Sequence, residues 1–305
     1  MGGNHFIYGD ELPDKYFGVP AVGGDKQEHD IKINESEEIM KIAVFGAAGW
    51  LGRAILSNLI GLHEVRALDL SSEAWDYGND LDGEWNEGEK VYGDISDFGF
   101  VDDAIEGIDA VIHAAVYASQ APGAYDVDDD LPYLVNLKGL RNVLESSRQR
   151  KIRRVVHVGS CQVVHPDGVF FDADVRRPDG SLYAVTKRLQ EEMCRQYHDA
   201  FRLPIIVLRP CSIIDSRLGI GKSRKKLGNG GTRRDISWVC RHDLAEACRL
   251  SAENRDIGFD ILHTVGTVEA EATCNVRQSR KLLGLEYRGD LDQYDTTTPK
   301  NMSQA

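Results

Sequence analysis

The sequence offers no sign of a metal centre, a disulfide framework or a membrane span. Its six cysteines, at 161, 194, 211, 240, 248 and 274, include no CxxC pair, so reduced, inert thiols are expected and no metal is assigned. No apolar run approaches the roughly 18 to 20 residues that cross a bilayer. The amino terminus, MGGNHFIYGDELPD, has neither the positive region nor the apolar stretch of a secretory signal, and a cytoplasmic protein without membrane partners is expected. Positive charge is scarce: 36 Lys and Arg stand against 49 Asp and Glu, a net charge of −13. Nucleic acid is therefore not expected as a partner, since binding phosphates needs basic surface. Repeats and low-complexity segments are also missing.

The chain has 305 residues, enough for one large domain with a smaller lobe. Residues 1–39 read as an N-terminal extension: positions 1–38 carry nine acids against three lysines, punctuated by Gly18, Pro20, Gly23 and Gly24. From Lys41 the pattern becomes one of short apolar runs alternating with amphipathic stretches. KIAVFG, EVRALDL, KVYGDI, DAVIHAA, RRVVHVGS, PIIVLRP and FDILHTV are the expected strands, several apolar nearly throughout, as strands covered on both faces must be. Helical spacing is expected over 50–60, 98–106, 131–150, 181–201, 242–253 and 270–283. The alternation implies an α/β fold with a doubly wound parallel sheet.

Gly46-Ala-Ala-Gly49-Trp50-Leu51-Gly52 follows the first strand directly and opens a helix. In that setting Gly46 permits a tight turn, Gly49 admits a pyrophosphate to the backbone, and Gly52 lets the helix pack on the sheet with its N-terminus facing the phosphates. Asp69 ends the second strand, placed to accept hydrogen bonds from the adenosine ribose and to repel a 2′-phosphate. The reading favours NAD, with Arg53 and Arg66 as the cations able to rescue NADP binding.

Tyr183 and Lys187, four residues apart, share one helix face. A free tyrosine titrates near pH 10. Making a base of it near neutrality takes a shift of about three units, roughly 4 kcal/mol, from a neighbouring ammonium and an oxidised nicotinamide. Ser160, ending the fifth strand, is placed to hydrogen-bond the substrate oxygen. These three form the expected catalytic set.

Taken in this order, residues 40 to about 285 resemble the extended short-chain dehydrogenases, the NAD-dependent epimerase/dehydratase superfamily. The resemblance implies a Rossmann NAD-binding domain at 40–210 and a small substrate-binding lobe mainly at 211–305, interleaved with the last Rossmann elements. It further implies cofactor contacts from Trp50, Leu51, Asp94, Ile95, Ala114, Ala115, Asn136 of VNLKGLRNVLE and Pro210 of LRP. RDISWVCRHDLAEA, from Arg234, is similar to a substrate-domain motif but has an altered middle. A homodimer through the helices containing Asn136 and Tyr183 is also implied.

The compact plan and the segments Arg177–Tyr183, Ser212 and Trp238 are similar to the uronate dehydrogenases. This chain departs from them in having Cys161 and Gln162 where they have Asn-His. A basic loop at 216–234 carries seven cations, among them Lys222, Arg224, Arg233 and Arg234, and no acid. It favours an anionic, sugar-like substrate, with the acids at 126–130 as a counterpart. The substrate set is thus Tyr117, Ser119, Cys161, Gln162, Ser212, Arg233, Arg234 and Trp238. The leading expectation is an NAD-dependent oxidoreductase. A nucleotide-sugar epimerase or dehydratase, and a non-catalytic NAD-binding sensor or scaffold, remain the alternatives.

Overall fold

All seven expected apolar runs form strands of a single sheet. The computed structural model describes residues 38–117, 130–164, 180–272 and 274–296; the extension up to residue 37, Ser119 and the acids at 126–129 lie outside them. In chain order, β1 (Lys41–Phe45) leads to α1 (Trp50–Leu59), and β2 (Glu64–Asp69) to a 3-10 stretch, Ser72–Gly78, and the short α2 (Asn79–Asp82). Next come β3 (Glu89–Tyr92), α3 (Phe98–Ala104), β4 (Ala110–His113), a π-helical turn (Tyr133–Gly139), α4 (Leu140–Gln149) and β5 (Arg154–Val158). The chain continues through α5 (Leu182–Phe201), β6 (Ile205–Pro210), β7 (Ser212–Asp215), β8 (Ile220–Gly221), β9 (Trp238–Cys240), α6 (Arg241–Glu253), β10 (Phe259–Thr264) and α7 (Val276–Leu283).

The sheet order is β10-β6-β5-β4-β1-β2-β3, parallel throughout. This is the Rossmann arrangement, with the strand order reversing between β1 and β4, where a crevice opens at the strands' carboxyl ends. Alternate strand residues divide between two cores. Ile42, Val44, Ile112, Val156 and Leu208 pack against α1 and α6, whereas Ala43, Phe45, Val111, Val155 and Val207 pack against α3, α4 and α5. Among the described residues no helix is long and apolar enough to cross a membrane.

Two helices depart from expectation. The stretch 131–150 opens with the π-helical turn, which carries Asn136. The helix expected over 270–283 is a 3-10 turn at Glu269–Ala272 and a separate α7. Asn275 breaks it: its Oδ1 accepts from the His263 backbone N–H at 2.9 Å and its Nδ2 donates to the Ile261 carbonyl, so this side chain ties the chain to β10 instead of continuing a helix. A small sheet, β8-β7-β9, follows β6 and was not anticipated.

Arg241, 1% exposed, joins these parts. Its Nε donates to Asp215 at the end of β7 (2.7 Å), its terminal nitrogens to Asp82 of α2 (2.6 and 2.9 Å), and its guanidinium lies 4.2 Å from the centroid of the Trp50 ring. Burial alone would raise the Asp215 pKa, but hydrogen bonds from His242, the Leu218 N–H and Arg241 outweigh it and hold the carboxyl well below its usual range. Arg241→Leu should lower the unfolding free energy by about 3–5 kcal/mol in urea titrations, because it strands a buried carboxylate. Asp215→Asn in that background should cost less than it does in the unmutated protein; equal costs would show that the pair is not coupled.

Candidate active site

The crevice at the strand reversal holds a cavity of about 1070 Å³. Its floor is the turn after β1, where the Gly46 and Ala47 N–H groups donate to the Leu68 carbonyl at 3.0 and 3.1 Å. Gly46 has φ +81°, and a Cβ there would lie 2.7 Å from the Ala115 nitrogen; one on Gly52 would lie 2.1 Å from the Gly46 oxygen. Gly49 differs, because a Cβ there would meet only the Gly46 oxygen, at 3.3 Å. That contact is closer than side chains ordinarily make, and the residue also faces the cavity, so its bareness suits the close approach of a pyrophosphate at the N-terminus of α1. Trp50, Leu51, Asp94, Ile95, Ala114, Ala115 and Pro210 line the same space.

Asp69 accepts from the Ala48 and Leu70 N–H groups at 2.9 and 2.8 Å, which holds the carboxylate at the rim of the glycine turn. The two cations named as rescuers of NADP are committed elsewhere. Arg53, 4% exposed, donates to the Gly83 carbonyl and Asn79; Arg66 pairs with Glu89 at 2.6 Å and donates to the Ala104 carbonyl. The cradle fits NAD.

At the other end of the cavity Ser160, Tyr183 and Lys187 come together. Ser181 starts α5 by accepting from the Ala184 N–H, which puts Tyr183 in its first turn and Lys187 one turn on, with Nζ 5.9 Å from the tyrosine ring centroid. Lys187 is 2% exposed and donates to the Val158 carbonyl at 2.8 Å. Burial pulls its pKa down to about 8, opposed by nearby Glu191. Beneath it, on β4 and β5, His113 and His157 are fully buried with their Nδ1 atoms 3.0 Å apart. Burial, reinforced by the Lys187 charge, lowers the His113 pKa to about 3 and that of His157 well below normal. Ser160 accepts from the Gln162 N–H at 3.2 Å, so its own hydroxyl proton can be donated into the cavity.

The structure redistributes several expected roles. Asn136 is fully buried and outside the cavity lining; it binds both the N–H and the carbonyl of Tyr117 (2.8 and 3.0 Å) and donates to Thr186 at 3.2 Å. Thr186 in turn donates to the Tyr183 carbonyl, so Asn136 ties Tyr117 to the first turn of α5. Trp238, 1% exposed, packs with Ile214, Leu227 and Leu291. Cys161 is fully buried, its thiol donating to the Arg209 carbonyl.

Arg234 pairs with Glu269 and Asp292, both at 2.8 Å, and Arg233 lines a separate small cavity with Gly228–Gly231. Tyr117, Gln162 and Ser212 do line the main cavity, joined by residues the sequence reading missed: Tyr77, Cys211, Asp235 and Ser237. Lys222, read only as part of the basic loop, lines it too. The loop is held by Arg224, which pairs with Asp80 and lies over the Tyr77 ring. The only sequence signal for Cys211, Asp235 and Ser237 was their nearness to Pro210 and their place in the RDISW segment; Tyr77 had none.

A Rossmann crevice with a glycine turn at one end and a Ser-Tyr-Lys set at the other defines an NAD-dependent enzyme of the short-chain dehydrogenase kind. The profile of the NAD dependent epimerase/dehydratase family matches residues 42–261, and the chain belongs to that family. It is similar to the uronate dehydrogenase of Pseudomonas syringae pv. tomato, 26% identical over 230 residues that cover 74% of each chain. Solved structures with the same fold include uronate dehydrogenase from Agrobacterium tumefaciens (TM-score 0.65, 22% identity, 86% of this chain and 91% of that one). UDP-glucose 4-epimerase from Brucella ovis in complex with NAD also shares it (TM-score 0.66, 19% identity, 84% and 96%).

Two measurements check this site. By calorimetry NAD should bind at least about tenfold more tightly than NADP, a difference of about 1.4 kcal/mol, and Asp69→Asn, which keeps an acceptor for Ala48, should narrow the gap; equal affinities would remove the role given to Asp69. The second concerns Lys187, whose folded-state pKa is depressed, so the unfolded chain binds more protons between pH 8 and 10.5 and stability rises with pH across that window. Relative to Lys187→Met, the unmutated protein should gain about 2 kcal/mol between pH 7.5 and 9.5. A pH-independent difference would mean that the ammonium is not desolvated.

Proposed function

We propose that the protein oxidises a hydroxyl, or in reverse reduces a carbonyl, of a small anionic sugar-like substrate. The observation that carries this reading is the shared cavity: Ser160, Tyr183 and Lys187 face the same space as a single loop cation, Lys222, and the polar groups of Gln162, Ser212, Asp235 and Ser237. Substrate recognition through Arg233 and Arg234 finds no support in their placement, and the anion-binding role passes to Lys222.

Bound NAD supplies the hydride acceptor. The Ser160 hydroxyl holds the substrate oxygen, and Tyr183 takes its proton at the phenolic oxygen. Lys187, fixed by Val158, stabilises the phenolate and is placed to hold the nicotinamide ribose. Asn136 and Thr186 keep α5 in position for both.

Incubation with NAD and a panel of uronic acids and nucleotide sugars tests this. Reduced cofactor should accumulate in step with an oxidised uronic acid. Inversion at one sugar carbon with no net reduced cofactor would replace this reading with an epimerase. Tyr183→Phe should lower kcat by about 10²–10⁴ while leaving NAD affinity largely unchanged. Lys222→Ala should raise KM for the anionic substrate more than it lowers kcat, as expected when uniform binding is lost.

A further inference from the structure

Cys211 is the one cysteine, among the six, that lines the active-site cavity. It follows Pro210 at the end of β6, and Cys161 follows Ser160 just past the end of β5. These strands pair in parallel with a constant offset of fifty residues, Val155 opposite Ile205 through Val158 opposite Leu208, and the Gly159 N–H continues the ladder to the Leu208 carbonyl. Cys161 then opens a 3-10 turn, Cys161–Val163, and Cys211 packs against the small core that Cys161 forms with Val265, Ala270 and Val276.

We propose that Cys211 is a peroxide-reactive thiol that, once oxidised, is resolved by Cys161 to give a reversible disulfide beside Ser160. The environments of the two sulfurs divide the roles. The neighbouring Cys161 thiol, against the opposing effect of burial and with help from the Ser237 and Ser212 hydroxyls, lowers the Cys211 pKa to about 7, which favours the thiolate. Burial pushes the Cys161 thiol well above its usual range, and Cys194, Cys248 and Cys274 are raised likewise, Cys274 to about 12. The nucleophile is therefore the sulfur that faces the cavity, and the buried one waits behind it.

In the first step the Cys211 thiolate attacks a hydroperoxide oxygen: an S–O bond forms, the O–O bond breaks, and the leaving oxygen takes a proton to depart as water or an alcohol. In the second, the Cys161 sulfur attacks the Cys211 sulfenic sulfur. The S–S bond forms, the S–O bond breaks, and hydroxide leaves as water with the Cys161 proton. Two thiols lose two electrons and the hydroperoxide gains both. The bond would pull the turn carrying Ser160 against the wall carrying Pro210, which stops turnover until a thiol reductant opens it.

The test uses the full chain with NAD bound and reads thiols by mass, so it stands whether or not the substrate class proposed above is right. After treatment with a few equivalents of hydrogen peroxide, non-reducing peptide maps should show Cys161 joined to Cys211 with the loss of two hydrogens, reversed by dithiothreitol. With Cys161→Ser, dimedone should instead trap a sulfenic acid at Cys211. Iodoacetamide at pH 7 should modify Cys211 of the unmutated protein at least tenfold faster than any other cysteine. A disulfide from Cys211 to Cys274, alkylation led by another cysteine, or a Cys211 that stays reduced under peroxide would each overturn the proposal.

Discussion

A buried guanidinium must be neutralised where it sits, and Arg241 imposes that requirement on three separate stretches of chain. Asp215 comes from the small second sheet, Asp82 from the segment after β2, and the Trp50 ring from the start of the cofactor helix. The cost of leaving any of these charges unpaired in the interior is several kcal/mol. The second sheet is thereby held against the glycine turn, and the cavity between them acquires a defined width. Arg241 and His242 occupy the altered middle of the RDISWVCRHDLAEA segment, so the deviation in that motif is the clamp itself.

The reactive end of the cavity depends on dryness in a related way. Lys187 has its ammonium among buried histidines held neutral, with the Val158 carbonyl and Glu191 to favour its charge. An ammonium so poorly solvated acts strongly on a neighbouring phenol, because few waters screen it. Asn136 supplies the rigidity: one buried amide fixes the strand-end segment at Tyr117 and, through Thr186, the first turn of α5. The π-helical turn that carries Asn136 is the local irregularity associated with this bracing.

The sheet, the glycine turn, Asp69 and the Ser-Tyr-Lys set were legible because each depends on local pattern: apolar runs on doubly covered strands, glycines after a strand, a spacing of four on a helix. What escaped the sequence depends on partners far along the chain. Arg234 read as a free cation because Glu269 and Asp292, which neutralise it, lie 35 and 58 residues away. Trp238 read as a ligand contact because an aromatic near a substrate lobe looks alike whether it lines a cavity or, as here, fills a small core with Leu227 and Leu291. The strands β7, β8 and β9 are too short, at two to four residues, to show a period. The lowered pKa of Cys211 was likewise invisible in the sequence, since two of the groups that cause it, Cys161 and Ser237, come near it only in three dimensions.

The central claim is that one crevice brings the cofactor and the Ser160-Tyr183-Lys187 set into register. A crystal structure of the NAD complex tests it most directly. The pyrophosphate should rest on the Gly46–Gly52 turn, the adenosine ribose should hydrogen-bond Asp69, and the nicotinamide ribose should lie within hydrogen-bond reach of Tyr183 and Lys187. A complex in which the adenosine sits on Asp69 but the nicotinamide points away from Tyr183, with Lys187 still bound only to the Val158 carbonyl, would contradict the account.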